Sequence, residues 1–178
     1  DILLAGCGTA NCSSKVTRLY RNDNAGGFTR IFAPLAGVSQ GAIAWGDYDN
    51  DGDLDLLLAG AAEWEVTTLY RNDKNDTFVS VEMPFTGLSQ GSLDWGDYDN
   101  DGDLDLLLTG HNLNNGLAKL YRNDGQGSFT DLSLDLPLVS GGVARWGDYD
   151  NDGRLDFVLT GSTWNGGSQT SIYRNLGT

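Results

Sequence analysis

The chain has 178 residues, 39% of them hydrophobic, and a formal charge of −14, with 11 Lys and Arg against 25 Asp and Glu. Basic residues this sparse, and nowhere in a run, exclude nucleic-acid binding, which needs clustered cations to neutralise phosphates. No apolar stretch reaches the roughly 20 residues of a membrane span and the N-terminus has no signal-like pattern, so no membrane insertion is expected.

In chain order, the elements are short runs bounded by Gly, Asn and Asp clusters such as Arg71-Asn72-Asp73-Lys74-Asn75. They are too short for helices and no apolar period of 3.6 residues appears, so all are read as strands. The first unit has a strand starting at Asp1, one ending in Leu19–Asn22 and one at Phe28–Phe32. A full set follows at Ala42–Trp45, Asp55–Gly60, Thr67–Asn72 and Phe78–Val81, and another at Ser92–Trp95, Asp105–Gly110, a strand ending in Leu120–Asn123, and Phe129–Leu132. The last unit has Val143–Trp146, Asp156–Gly161 and a strand ending in Ile172–Asn175, with no fourth.

This order is a repeat of about fifty residues, a period that belongs to propellers and solenoids. The run DYDNDGDLD stands at Asp47–Asp55 and Asp97–Asp105, with DYDNDGRLD at Asp148–Asp156. The Leu-Leu-Leu strand that follows wants apolar neighbours on both faces, which radial stacking of sheets supplies. The fold expected is all-β: a β-propeller of four-stranded antiparallel blades forming a partial ring, with an extended β-solenoid or open sandwich as the competitor. The single repeat domain 1–178 divides into units of about 1–36 (no inner strand), 37–87, 88–138 and 139–178 (no outer strand), hence two full and two incomplete blades.

The acidic loops carry the chemistry, since 14 of the 25 acidic residues lie in them. In D-x-D-x-D-G-x-x-D, carboxylates at positions 1, 3, 5 and 9 converge if the chain curls round an ion, with Gly at position 6 allowing the turn. Position 7 offers its carbonyl, so its side chain is free to vary: Asp53, Asp103, Arg154. Oxygen donors without His or Cys favour Ca²⁺ over zinc or copper, and magnesium is disfavoured because it keeps several waters. An EF-hand needs Glu at position 12 between helices, whereas Leu58, Leu108 and Leu159 stand there inside strands. The bland alternative is a set of solvated acidic turns, since Asp, Asn and Gly also build ordinary turns. Three copies at one phase, each after Trp-Gly, weigh against it.

The string Trp-Gly-Asp-Tyr-Asp-Asn-Asp-Gly-Asp-Leu-Asp-Leu-Leu-Leu, followed by Leu-Tyr-Arg-Asn-Asp and a Gly-x-Phe-Thr strand, resembles the FG-GAP/VCBS repeats of integrin-α-like β-propellers, especially the bacterial secreted kind. The resemblance covers nearly the whole chain. It implies three Ca²⁺ sites between the first and second strands of the blades, and a role in adhesion or ligand binding. Carried over by position, the ligands are Asp47, Asp49, Asp51, Asp55 and the Asp53 carbonyl; Asp97, Asp99, Asp101, Asp105 and the Asp103 carbonyl; Asp148, Asp150, Asp152, Asp156 and the Arg154 carbonyl. At the N-terminus Asp1 aligns with position 9 of a loop whose first eight residues are absent. The expectation is a fragment of a larger propeller, with a self-assembled ring or an open arc as alternatives, because exposed blade faces and strand edges are sticky.

Other residues divide into structural and variable ones. Trp45, Trp95 and Trp146 recur at one phase and suit packing between blades, and Tyr70 and Arg71 with their copies are likewise structural. Trp64 and Trp164 do not repeat and sit in loops beside Glu63, Glu65 and Asn165, where they suit loop packing or a sugar-binding surface. His111, the only histidine, is read as a solvated loop residue with no nucleophile beside it. Cys7 and Cys12 are placed for a local disulfide, which would suit an oxidising compartment, or are two free thiols. No triad and no phosphate loop can be assembled, and a fully ligated ion leaves no open position for a substrate. The reading is a non-catalytic, calcium-stabilised, extracellular or cell-surface binding or adhesion module, with a protein or carbohydrate ligand at its loops. A lectin-type propeller is the alternative, and an accessory propeller of a secreted polysaccharide-degrading enzyme comes third.

Overall fold

The computed structural model describes residues 1–24, 26–113 and 115–177. Among them every regular element is a strand, arranged in four antiparallel sheets that succeed one another along the chain. The first sheet holds β1 (Ile2–Cys7), β2 (Lys15–Asn22) and β3 (Phe28–Ile31). The second holds β4 (Ser39–Gly46), β5 (Asp55–Ala61), β6 (Glu65–Asn72) and β7 (Phe78–Val81), each paired with the next. The third repeats that order with β8 (Ser89–Gly96), β9 (Asp105–Asn112), β10 (Asn115–Asn123) and β11 (Phe129–Asp131). The fourth has β12 (Val139–Gly147), β13 (Asp156–Thr163) and β14 (Ser168–Tyr173). This is a partial β-propeller, with each sheet a blade.

Side-chain alternation along a strand explains the Leu-Leu-Leu runs. Leu56 and Leu58 of β5 join Leu19, Ile31, Val38, Tyr70 and Phe78 in the core shared with the first blade. Leu57 and Ala59, on the opposite face, pack with Leu93, Leu106, Leu108 and Phe129 toward the third. In β9 the same division sends Leu107 into the core with Ala144, Phe157 and Leu159 of the fourth. A second strand with blades on both sides therefore has no polar face, which is why its sequence is continuous rather than alternating.

The first strands of successive blades lie side by side, β4 on β8 and β8 on β12. Their contact is fixed by the Trp-Gly pair. A Cβ built on Gly46 would stand 2.7 Å from Cδ1 of Trp95, and one on Gly96 would stand 2.7 Å from Cδ1 of Trp146. Each tryptophan thus lies on the glycine of the blade before it. Trp146 also stacks on Tyr98, with ring centroids 6.3 Å apart, and its backbone N–H donates to Asp94 Oδ2 at 3.0 Å.

These first strands begin earlier than the sequence pattern indicates, at Ser39, Ser89 and Val139 instead of Ala42, Ser92 and Val143. The cause is a β-bulge in each, where two residues face one on the partner strand. Gln40 and Gln90 (φ 50° and 51°) and Gly141 (φ 62°) adopt left-handed backbone there, which shifts the inward–outward alternation and hides the strand from a period-two reading.

Candidate metal centre

Each acidic loop joins a first strand to a second strand at the same end of its blade. Its curl is written in the backbone: Asn50, Asn100 and Asn151 have φ of 58°, 59° and 58°, and Gly52, Gly102 and Gly153 have 89°, 94° and 85°. Asn tolerates the left-handed region and Gly is unstrained there, so two consecutive sharp changes of direction fit within three residues. The Asp47 carboxylate closes the turn by accepting the N–H groups of Asp51 and Gly52, both at 3.0 Å. Asp97 and Asp148 do the same in their own loops.

Position 9 closes the other side. Asp55 accepts from the N–H of Tyr48 at 3.2 Å and of Asn72, on the third strand, at 2.8 Å. Asp105 accepts from Tyr98 and Asn123, and Asp156 from Tyr149 and Asn175. Asp1 accepts from the N–H of Asn22 at 2.9 Å, so it holds the same place in the first blade.

Each loop thereby gathers carboxylate oxygens within 4.8 Å of one another: from Asp47, Asp49 and Asp55; from Asp97, Asp99 and Asp101; and from Asp148, Asp150 and Asp156. Asp49 Oδ1, Asp99 Oδ1 and Asp150 Oδ1, at position 3, are buried without a hydrogen-bond partner. The same orphaned acceptor recurring three times inside an all-oxygen cluster fits a hard divalent cation, which supplies the missing partner. Electrostatics agrees. Burial, then the charge of Asp51, raises the Asp49 carboxyl above its usual range, and burial raises Asp55 to about 6 and Asp105 to about 7. These carboxylates are held where an isolated negative charge is disfavoured, and a cation would reverse that preference.

Of the expected ligand positions, 1, 3 and 9 come together in the first and third loops, and 1, 3 and 5 in the second. Asp51 and Asp152 lie outside those groups, and each turns Oδ1 to the N–H of residue 53 or 154. The position-7 side chains are engaged outside the cluster or at its rim: Asp53 with Lys74 at 3.0 Å, Asp103 with Asn50 at 2.6 Å, and Arg154 through Nε with the Asn175 carbonyl at 3.0 Å.

Two sets of asparagines that sequence reasoning left without a role tie these loops together. In the third and fourth blades the Asn that ends the Tyr-Arg-Asn string gives its N–H to position 9 of its own loop and its side chain to the loop of the preceding blade, whereas Asn72 in the second keeps its side chain on the Leu54 carbonyl of its own loop. Asn123 Nδ2 donates to the Tyr48 carbonyl at 2.8 Å, and Asn175 Nδ2 to that of Tyr98 at 2.7 Å. At position 4, Asn50 Nδ2 reaches forward to Asp103, and Asn100 Nδ2 to the Gly153 carbonyl at 3.4 Å. The loops form a connected row across blades, not separate clips on single blades. The available signal was recurrence of an amide side chain at fixed phase.

The remaining candidates fall as follows. Trp45, Trp95 and Trp146 meet Phe78, Phe129 and Phe157 edge-on or tilted, within 6.2 Å between centroids. The Tyr70 and Tyr121 hydroxyls accept the N–H of Ala36 and Thr86, pinning the linkers that precede β4 and β8. Trp64 and Trp164 are 76% and 82% exposed. His111 departs from the expected loop position: it lies in β9, half-buried, with Nδ1 3.9 Å from a Glu65 carboxylate oxygen. Cys7 and Cys12 form a disulfide across the β1–β2 connection.

A row of four-stranded units joined through acidic strand–loop–strand turns defines a propeller-type repeat protein. The model of the FG-GAP-like repeat matches residues 1–58, 55–108 and 97–159, and the chain belongs to that repeat family. A comparison with curated proteins finds no match.

Proposed function

We propose that the protein is a calcium-stabilised, extracellular, non-catalytic binding or adhesion module. The observation that carries the metal reading is the orphaned position-3 oxygen, repeated in all three loops within an oxygen-only donor set. In it Asp47, Asp49, Asp51, Asp55 and the Asp53 carbonyl, with their copies in the next two loops, hold Ca²⁺. The cation stiffens the row of loops from which the blades hang. The disulfide supports an oxidising compartment.

Antiparallel pairing puts the connections between second and third strands at the blade end away from the acidic loops. Those connections vary between units and carry Trp64, Leu113 and Trp164, all exposed. Variable tips on a stiff scaffold are where a protein partner is engaged.

A carbohydrate ligand is the second reading. It is favoured by the groove between the first two blades, where Trp45 and Phe78 stand beside Arg21, Asn72, Lys74 and Asp76. Aromatic faces flanked by hydrogen-bonding groups suit a sugar. A glycan array probed with the wild type, Trp64→Ala, Trp164→Ala and Trp45→Ala tests these readings. No selective glycan signal is expected; selective binding lost in any of the three variants overturns the protein-partner reading in favour of the lectin.

A further inference from the structure

The three loops are near copies in sequence, yet the structure gives the third a different electrostatic setting. In the second and third blades the arginine of Tyr-Arg-Asn is held by an aspartate two residues on. Arg71 Nε lies 2.6 Å from Asp73 Oδ1 and Arg122 Nη2 lies 2.7 Å from Asp124 Oδ1. In the fourth blade Leu176 stands where those aspartates would be. Arg174 turns onto the acidic loop instead, with Nη2 2.7 Å from Asp150 Oδ2 and 3.4 Å from Asp152 Oδ2.

A second guanidinium arrives from within the loop. Arg154, at position 7, donates through Nη2 to the same Asp152 Oδ2 and is anchored by its Nε on the Asn175 carbonyl. Asp152 Oδ1 accepts the Arg154 N–H at 3.1 Å, so both oxygens of the position-5 carboxylate are engaged. At Asp51 and Asp101 only Oδ1 is hydrogen-bonded, and no cationic side chain reaches Oδ2 among the described residues.

The formal charges follow. The third loop has four carboxylates with two guanidiniums in contact, leaving −2. The second has five carboxylates with no ion-paired cation, leaving −5, and the first has five with Lys74 on Asp53, leaving −4. Ligand charge sets calcium affinity in oxygen cages, and a cation within a few ångströms repels a divalent ion as it attracts the carboxylates.

Resting on the calcium reading above, we propose that the third loop is an internally neutralised, low-affinity site. Arg154 and Arg174 occupy part of the cation's coordination, so calcium fills the first two loops at lower concentration and the third only when it is abundant. The fourth blade's loop then keeps its closed shape without a cation, while the other two depend on one.

The test is calorimetric titration of calcium into the chelator-stripped protein. Two sites are expected to bind at least about tenfold more tightly than a third, since a charge this close is worth about one decade or more. Arg154→Asp combined with Arg174→Gln should bring the third site within a few fold of the others. Asp73→Leu, a surface change that recreates the fourth blade's arrangement around Arg71, should weaken one tight site several fold. Three equal sites in the wild type overturn the proposal while leaving the calcium reading intact, and so does a third site unmoved in the folded double variant. Absence of any binding overturns the calcium reading and this one with it.

Discussion

Asn123 donates its side-chain N–H to the main-chain carbonyl of Tyr48, 75 residues earlier and in another blade, at 2.8 Å, while its own backbone N–H donates to Asp105. One fully buried residue therefore joins the acidic loops of two blades. Replacing it with Ala leaves the Tyr48 carbonyl unpaired in the interior, a loss of about 1–3 kcal/mol for the orphaned acceptor. Urea denaturation should show Asn123→Ala less stable by about that amount. Asn72→Ala should cost less, because Asn72 Nδ2 reaches only Leu54 of its own loop at a more exposed site.

The Trp-Gly pair predicts a contrast between two equivalent glycines. A methyl on Gly96 would meet Trp146 Cδ1 at 2.7 Å and Leu155 Cδ1 at 2.9 Å, whereas one on Gly147 meets nothing within 4 Å. Thermal or urea unfolding should find Gly96→Ala destabilised by about 1–3 kcal/mol, the usual cost of overpacking. Gly147→Ala should lie within about 0.5 kcal/mol of wild type.

Acid should stabilise the chelator-treated protein over part of its range. Burial holds the carboxyls of Asp55 at about 6 and Asp105 at about 7, above the value near 3.9 of an unfolded chain. Between those limits the native state binds more protons than the unfolded one, so stability falls as pH rises through the window. In chelator, the melting temperature should be higher at about pH 5 than at about pH 8, and in excess calcium the order should reverse, because protons compete for the ligands. The carboxyls of Asp124, lowered by the Thr130 hydroxyl and then Arg122, and of Asp73, lowered by Arg71, work in the opposite sense only below that window.

The Cys7–Cys12 bond closes a loop of a few residues in the first blade. Chain-entropy arguments give about 2 kcal/mol for a loop so short, and the effect is confined to one edge of the array. Reductant should lower protection from hydrogen exchange in β1 and β2 and leave β8–β10 unchanged, as followed by mass spectrometry.

How much of this was legible in the sequence follows from which signals are local. The acidic loops, the Leu-Leu-Leu strands and the blade order were readable because each recurs at fixed phase and follows from side-chain type alone. The bulges at Gln40 and Gln90 were hidden because left-handed backbone at a glutamine leaves no compositional trace. The cross-blade role of Asn123 was hidden for another reason: it depends on how successive sheets stack. The turn of Arg174 onto Asp150 had a one-residue cue, Leu176 in place of Asp, which acquires meaning only once Arg71 is seen paired to Asp73.

The proposal that calcium in the acidic loops holds the blades together is decided by the melting temperature with and without chelator. Binding to the folded state alone stabilises by about 2.7 kcal/mol per site at a hundredfold excess over Kd, so two tight sites should raise the melting temperature by about 10 °C or more at neutral pH. An identical melting temperature in millimolar calcium and in chelator would mean that no cation stabilises these loops.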